Sequence, residues 1–379
     1  MPLLPSAPAA DGRSDAYLMP QPYGVYVHIP FCASRCDYCA FATWTDRHHL
    51  IDDYVDACVT HIQRERADTP MATSVFFGGG TPSLIPPESL AKILRAISVA
   101  PGAEITVECN PDTVTEHLAQ TYAEAGVNRI SLGVQSLVSS VLVTLGRTHN
   151  PANVAASVEF FRNAGITDIN LDLIYGSVGE TVDQWSETLD AALALRPTHI
   201  SAYGLTVEAG TPLAADENRH PDDDDQADKY LMAEQKLTDN GMANYEVSNW
   251  SLPGHESQHN QLYWRQHEYS AIGCAAHGHR HGVRYWNVRT PDRYIALIAD
   301  GGSPLGGSEE LDEETRELEG LQLALRMRGG VPQDALPTVF DAPELGGLVS
   351  VVDGRASLTV HGRLLANEVA LRLQPRKIG

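Results

Sequence analysis

Positive charge is scarce in this 379-residue chain: 27 Lys and Arg stand against 49 Asp and Glu, a formal net charge of −22. Nucleic acid is therefore excluded as a partner, because phosphate contacts need clustered Lys and Arg. Cysteine is scarce too, with six residues in the whole chain. A disulfide framework belongs to short, Cys-dense secreted chains. No apolar run approaches the ~20 residues of a transmembrane helix. The opening stretch MPLLPSAPAADGRSDAYLMPQP lacks the basic start and apolar core of a signal peptide, so residues 1–22 read as a flexible tail. With 43% hydrophobic and 20% charged residues, the remainder can bury a large core, and its length suits one large domain plus a small one.

Half of the few cysteines stand together. Cys32, Cys36 and Cys39 lie in HIPFCASRCDYCAF, three thiols within eight residues. Three thiolates can converge on one iron–sulfur cluster and leave one iron without a protein ligand, whereas clusters that only carry electrons usually have four Cys ligands. An open iron binds a small molecule. A zinc site with His28 as fourth ligand is the competing reading, but structural zinc sites favour paired C-x-x-C-like spacing. Cys58, Cys109 and Cys274 are scattered and read as small buried residues. An exposed cluster needs a reducing compartment, which places the protein in the cytoplasm.

Short β-rich runs alternate with amphipathic stretches. The strands expected are 25–29, 74–77, 104–108, 129–133, 169–175 and 199–205, and the helices 50–66, 88–97, 115–125, 154–163, 182–195 and 223–240. Such alternation argues for parallel βα units. Six units make an α/β fold of the partial (β/α)6 barrel type, with an open doubly wound sheet as the rival. Polar and glycine-rich motifs recur where these strands end: the Cys loop, then Gly78-Gly79-Gly80-Thr81-Pro82-Ser83, Glu108-Cys109-Asn110-Pro111, Gly133-Val134-Gln135-Ser136, Asp172 with Ile174-Tyr175-Gly176, and Tyr203-Gly204-Leu205. Loops at the C-terminal ends of barrel strands share one face, where sites assemble.

These motifs suit one ligand class. Triple glycine admits close backbone approach to a charged amino-acid moiety. Glu108 can accept hydrogen bonds from ribose hydroxyls, and Arg147 can pair with a carboxylate. Gln135 and Asp172 can fix the remaining polar edges. The set is compatible with an adenosyl amino acid beside an open-iron cluster.

The C-x3-C-x2-C spacing with Tyr38 before the last Cys, followed by GGGTPS, ECNP, GVQS and DLIYG, resembles the radical S-adenosylmethionine (SAM) superfamily. Within it the chain resembles the coproporphyrinogen-oxidase-like branch over about residues 23–375. The resemblance implies a [4Fe–4S] cluster on Cys32, Cys36 and Cys39, with SAM chelating the open iron. One electron would cleave its S–C5′ bond and yield a 5′-deoxyadenosyl radical. It further implies that Tyr26, Tyr38, Gly79, Gly80, Thr81, Glu108, Gln135, Arg147 and Asp172 hold SAM.

That branch holds two functions. Oxygen-independent coproporphyrinogen III oxidases decarboxylate propionates oxidatively to vinyl groups, giving protoporphyrinogen IX. Haem chaperones bind haem and pass it to haem proteins. The oxidases carry a further Cys two residues past the motif, where this chain has Phe41, and a longer N-terminal arm. The run His259-Asn260-Gln261-Leu262-Tyr263-Trp264 matches the HNxxYW motif linked to haem in the chaperones, and so implies His259, Asn260, Tyr263 and Trp264 as haem contacts. Residues 255–281 also hold six of the fifteen His, where an even spread would place about one. Imidazole is a common ligand of haem iron. Tyr263, Trp264 and Trp286 offer flat surfaces, and Arg280, Arg284 and Arg289 could meet propionates. A solvated polar loop or an adventitious metal site would show the same composition. One departure stands out: Ala275 replaces a usual glycine in Gly273-Cys274-Ala275-Ala276-His277-Gly278, which is costly if that position needs positive φ.

The C-terminal part reads as separate. Residues 301–315 suggest a Gly/Ser/Glu linker, 313–328 a helix, Asp353-Gly354 the turn of a hairpin, and 364–373 a helix, together a winged-helix-like module. The expected organisation is a tail (1–22), a radical SAM barrel with cluster and SAM site (23–245), a His-rich haem-contacting segment (246–300) and a helix/hairpin domain (301–379). The resemblance favours the haem chaperone, with the oxidase as alternative and an iron–sulfur or zinc protein without radical chemistry as a third class. If the chain is an enzyme, it would be a coproporphyrinogen III dehydrogenase-type oxidoreductase. The partners implied are haem, a haem-accepting client, a flavodoxin- or ferredoxin-like reductant and a peripheral membrane contact.

Overall fold

The computed structural model describes residues 22–147, 149–337 and 342–374. All but the last residue of the expected tail lies outside them. Six strands, β1 (Tyr23–Ile29), β2 (Ala72–Gly79), β3 (Val99–Cys109), β4 (Arg129–Gln135), β5 (Asp168–Tyr175) and β6 (His199–Gly204), pair in chain order, all parallel. Helices α1 (Ile51–Glu65), α2 (Pro87–Ala96), α3 (Glu116–Ala125), α4 (Ser139–Thr144), α5 (Ala152–Asn163) and α6 (Val182–Ala194) lie between them, and α7 (Asp223–Asp239) follows β6. A doubly wound sheet reverses its strand order at a switch point. The unbroken order β1 to β6 is that of a partial barrel.

Period-two alternation decides which residues face the helices. Val25, Val27, Ile29, Val75, Phe77, Ile105, Val107, Ile130, Leu132, Ile169, Leu171 and Ile200 enter the main core under the helices. The opposite parity points into the barrel, and it is polar: Ser74, Glu104, Thr106, Arg129, Ser131, Asn170, His199 and Ser201 are all buried there. Most find partners among themselves or nearby, for example Asn170 Nδ2 to Ser131 Oγ (2.7 Å), Arg129 to Asp168 (2.9 Å) and Ser74 Oγ with His259 Nδ1 (2.8 Å), while Thr106 Oγ1 has no hydrogen-bond partner among the described residues. Closed barrels usually fill this space with branched apolar side chains. Buried polar groups are tolerated only when partnered.

The barrel stays open. On one side β6 pairs antiparallel with β8 (Asn249–Ser251), itself paired with β7 (Ala243–Glu246). On the other, β1 takes β9 (Glu268–Ile272) as a parallel neighbour, and β10 (His277–Arg280), β11 (Val283–Asn287) and β12 (Leu305–Glu310) continue as an antiparallel meander. The His-rich segment thus supplies α8 (Gln258–Trp264) and four strands of the same sheet, β8 to β11. The glycine-rich stretch expected as a linker contributes β12. The reason is steric: a Cβ on Gly306 would press on the Asn287 backbone at 3.0 Å, and one on Gly307 on the Trp286 ring at 2.5 Å. These glycines allow close strand approach.

After α9 (Pro291–Ala299), helix α10 (Glu313–Leu325), strand β13 (Val331–Pro332) and the hairpin β14 (Val349–Val352)/β15 (Arg355–Leu358) build a second small core around Leu325, Val331, Leu336, Ala356 and Val369. Asp353 and Gly354 both take positive φ (50° and 73°), as mirror-image hairpin turns require. Of the expected last helix (364–373), α12 (Ala366–Ala370) forms, and a further short helix, α11 (Val360–Leu364), precedes it, the two separated at Leu365 (φ −113°, ψ 28°). Arg363 on α11 clamps Glu234 on α7 with two bonds of 2.8 and 2.9 Å, tying the small domain to the barrel. Among the described residues no helix is long and apolar enough to cross a membrane.

Ala275 does sit at positive φ (54°). The loop after β9 has no freedom to relax. Gly273 and Cys274 give their amides to Tyr294 and Tyr54, Ala275 N bonds Val288 O (2.9 Å), and Asn287 Nδ2 bonds Ala271 O and Gly273 O. Ala275→Gly should therefore stabilise the protein, by roughly 0.5–1 kcal/mol, seen as a higher unfolding midpoint in thermal or urea melts. A lower midpoint would show that residue 275 carries no strain.

Candidate functional site

The Cys loop leaves β1 and is held at its base by backbone bonds: Trp44 N to Pro30 O (2.8 Å), Cys32 N to Trp44 O (3.1 Å) and Cys39 N to Cys36 O (3.2 Å). All three cysteines are free and half-buried. Burial pushes the Cys32 and Cys39 thiols up, and neighbouring thiols add to this. Thr81 Oγ1 donates to Cys32 Sγ (3.5 Å). Among the described residues no three His, Cys, Asp or Glu side chains close around a single metal ion. His28 does not join the thiols: Nδ1 meets Tyr26 OH (3.0 Å) and Nε2 meets Ala42 O (2.9 Å), and burial lowers its pKa to about 4. Cys58, Cys109 and Cys274 are buried, as expected of small residues.

The glycine run also has a packing role. Gly80 N and Thr81 N bond Ile29 O and Phe31 O (2.8 Å each), and Gly79 N bonds Glu108 Oε2 (3.0 Å). These three amides are therefore committed within the protein. A Cβ on Gly79 (φ 105°) would strike the His28 ring at 2.3 Å. The run lets β2 press against the base of the Cys loop.

Above it, the expected polar residues converge. Gln135 stands at a β-bulge after Gly133, at positive φ (62°) and buried. A side chain on Gly133 would meet Arg147 Nη2 at 3.2 Å and Gln135 Nε2 at 3.3 Å, so this glycine leaves room for both. The Arg147 guanidinium lies beside Tyr38 and the thiols of Cys36 and Cys32. Burial opposes its charge, yet these neighbours raise its pKa, and its Nε is buried without a partner among the described residues. Asp172 accepts from Ser131 (2.8 Å) and Asn170 (2.9 Å), and burial raises its pKa. Glu108 is pushed up to about 8, first by burial and then by the Asp172 charge. Tyr26 completes this layer against Phe76. A shallow cleft opens beside Tyr38 and Asp37, lined by Leu145, Val178, Leu205 and Leu213 together with Thr144, Ser177 and Arg219.

The HNxxYW run lies elsewhere. α8 closes the far end of the lumen, against the first residues of β1–β3. Glu104 Oε1 and Oε2 accept the amides of His259 and Gln258 (2.9 Å each), and Gly24 leaves room for Leu262 and His259. His259 is 1% exposed. Its Nδ1 bonds Ser74 Oγ and its Nε2 bonds Tyr263 OH, each at 2.8 Å, while its ring stacks on Phe76 (5.4 Å). Burial lowers its pKa to about 3. Tyr263 packs on Tyr269, Asn260 reaches Tyr245 OH at 3.5 Å, and Trp264 Nε1 is buried without a partner among the described residues. The fold therefore joins the cysteines with Tyr38, Glu108, Gln135, Arg147 and Asp172, and sets His259–Trp264 one ring further down the lumen, where His259 stacks on Phe76 and the Tyr263 hydroxyl, pushed up by burial, also feels Tyr26 and Glu108. One ring series, Tyr26–Phe76–His259–Tyr263–Tyr269, connects the two ends.

Residues 26–192 match the family model of the radical SAM superfamily. A protein named haem chaperone HemW from Mycobacterium tuberculosis is 38% identical over 370 residues, covering 93% of this chain and 95% of its own. Its namesake from Escherichia coli is 36% identical over 374 residues, covering 92% and 97%. The chain belongs to the HemW family. The solved coproporphyrinogen III oxidase of Escherichia coli superposes with a TM-score of 0.80 at 21% identity, covering 93% of this chain and 89% of that one, and so shares the fold.

The residues present fit the groups the superfamily implies. Three half-buried thiols on one loop, a buried guanidinium with an orphaned Nε beside them, and a largely uncharged carboxyl facing the lumen suit a three-Cys cluster and a zwitterionic nucleoside. Arg219, Ser74 and Glu104 escaped sequence reading. Arg219 bonds Asp37 Oδ2 (2.8 Å) and Thr144 O (2.8 Å), locking the segment between Cys36 and Cys39. Nothing local in its sequence marks this, because the pairing spans 182 residues.

Glu108 yields a pH test. Its folded-state pKa lies above the ordinary value, so its stabilisation is full below about pH 4 and is lost as pH rises through about 8. Glu108→Gln should flatten that decline and be the more stable form above pH 8 in ligand-free melts between pH 5 and 9. Parallel pH profiles for variant and parent would rule out a raised Glu108.

Proposed function

We propose that this chain is a cytoplasmic haem chaperone that carries a [4Fe–4S] cluster and SAM, binds haem and passes it to acceptor haem proteins. The observation that carries this reading is 36–38% identity to HemW chaperones across 92–93% of the chain. Phe41, standing where the oxidases have a further Cys, supports it. The coproporphyrinogen oxidase reading has the shared fold in its favour and nothing more specific.

In this proposal Cys32, Cys36 and Cys39 hold the cluster, which supplies one electron to SAM when both are bound. Arg147 pairs with the SAM carboxylate, a charge-assisted contact in a water-poor site. Glu108, in its protonated form, can donate to as well as accept from ribose hydroxyls, and Gln135 and Asp172 orient the rest. Tyr26, Gly79, Gly80 and Thr81 shape the floor on which these groups rest. A flavodoxin- or ferredoxin-like reductant and a membrane-associated haem acceptor, which would bring peripheral membrane contact, belong to the same proposal.

Three measurements bear on it. Reconstituted Cys36→Ser should lose the cluster's visible absorption and its stoichiometric iron and sulfide, while full iron loading would remove Cys36 as a ligand. Arg147→Ala should weaken SAM binding to the reconstituted protein by about tenfold or more, and unchanged affinity would free Arg147 of that role. Haem-loaded protein should deliver haem to an apo-haem protein, read as the acceptor's Soret band, and should not convert coproporphyrinogen III with SAM and reductant. Retained haem, or protoporphyrinogen formation, would overturn the chaperone reading.

A further inference from the structure

His259 is enclosed and both its ring nitrogens are engaged, so the fold offers haem iron a different imidazole. His255 and His281 lie beside Asp168 (3.3 Å) and Glu268 (3.5 Å). His279 is turned by its bond to His267 O (3.2 Å) and leans on Tyr269. His277 alone combines exposure, two ring nitrogens without hydrogen-bond partners among the described residues, and an aromatic brace: its ring stacks on Trp286 at 5.8 Å and 30°.

Its place in the fold matters more. Because β9 runs parallel to β1, the loop 273–276 emerges on the same rim as the Cys loop. That loop rests on the cluster side of the barrel, since a Cβ on Gly273 would touch His28 O at 2.6 Å and His28 itself holds Ala42, next to Phe41. The fixed hydrogen bonds of Gly273, Cys274 and Ala275 give His277 a rigid base. β11 and β12 bring further groups to this rim. Trp286 pairs with His277 in register, Asn287 pairs with Leu305, and Arg289 is exposed just beyond. Phe41 is 62% exposed and Leu305 51%, so both offer apolar surface to solvent.

We infer that His277 is the axial ligand of haem iron, with Trp286 bracing the imidazole, Phe41 and Leu305 offering apolar surface to the porphyrin and Arg289 meeting a propionate. This rests on the haem-chaperone reading above. It places the cargo on the open rim beside the cluster loop, where an acceptor can reach it, and leaves His259 as the bonded floor of the lumen. Neutral imidazole is a common haem-iron ligand, and an Arg at the edge can bond a carboxylate in bidentate fashion.

Anaerobic haem titration of the full-length, cluster-reconstituted protein tests this, read by the Soret band and the spin state of ferric haem. The parent protein should give an imidazole-ligated spectrum. His277→Ala should weaken haem binding by about tenfold or more and lose that signature, and free imidazole added to the variant should restore it. Arg289→Ala should weaken binding without altering the ligand signature. His259→Gln, if folded by circular dichroism, should keep the parental spectrum. A His277→Ala variant with parental spectrum and affinity, or loss of the signature in folded His259→Gln alone, would overturn the assignment while leaving the chaperone reading intact. Absence of haem binding by the parent protein would sink that reading itself.

Discussion

One buried imidazole holds the working end of this protein together. His28 is the second-last residue of β1, and three of the loops that build the site meet at it. Its Nε2 fixes the far side of the Cys loop through Ala42 O, and its Nδ1 positions Tyr26. Its face receives Gly79, where any side chain would collide, and its carbonyl accepts Tyr54 OH (2.8 Å) while lying against Gly273. Three loops from β1, β2 and β9 therefore share one rigid anchor. Burial keeps the ring neutral, so both nitrogens stay matched to fixed partners.

The second constraint is the polar lumen. Lining a barrel with Ser, Asn, Asp, Glu and His is tolerable only if each group finds a partner, and here the partners come from neighbouring strands: Ser131 to Asp172, Asn170 to His199, Arg129 to Asp168. The network rigidifies the middle of the barrel and frees its two ends for different tasks. At one end Glu108, Gln135 and Arg147 keep hydrogen-bonding capacity for a ligand. At the other, α8 sets its N-terminal amides on the Glu104 carboxylate, a favourable use of a helix start.

Much of the fold was legible because alternating Val, Ile and Leu against Ser, Asn and Asp is a local signal. The six strands and the helices between them fall within a few residues of the positions the pattern indicates. The three-Cys spacing, the strand-end motifs and the Asp353-Gly354 turn are local as well. Ala275 carried its warning in a single letter, and the backbone at φ 54° explains it. Long-range packing was not legible. Gly306 and Gly307 look like a linker until Trp286 is placed beneath them, and nothing local in the Gly78–Gly80 run shows that Gly79 must clear the His28 ring.

By itself the sequence determined the barrel, the thiol loop and the family, because these depend on short periodicities and on spacings along the chain. Only the tertiary structure decided which polar residues share the rim. A histidine's chemistry depends on what faces its two nitrogens, and the partners of His259 sit 185 residues away at Ser74 and one turn along α8 at Tyr263. The same letter at 277 lands on an exposed rim over Trp286 because β9 runs parallel to β1. Strand direction and register, which no local pattern encodes, separated a buried structural imidazole from an available one.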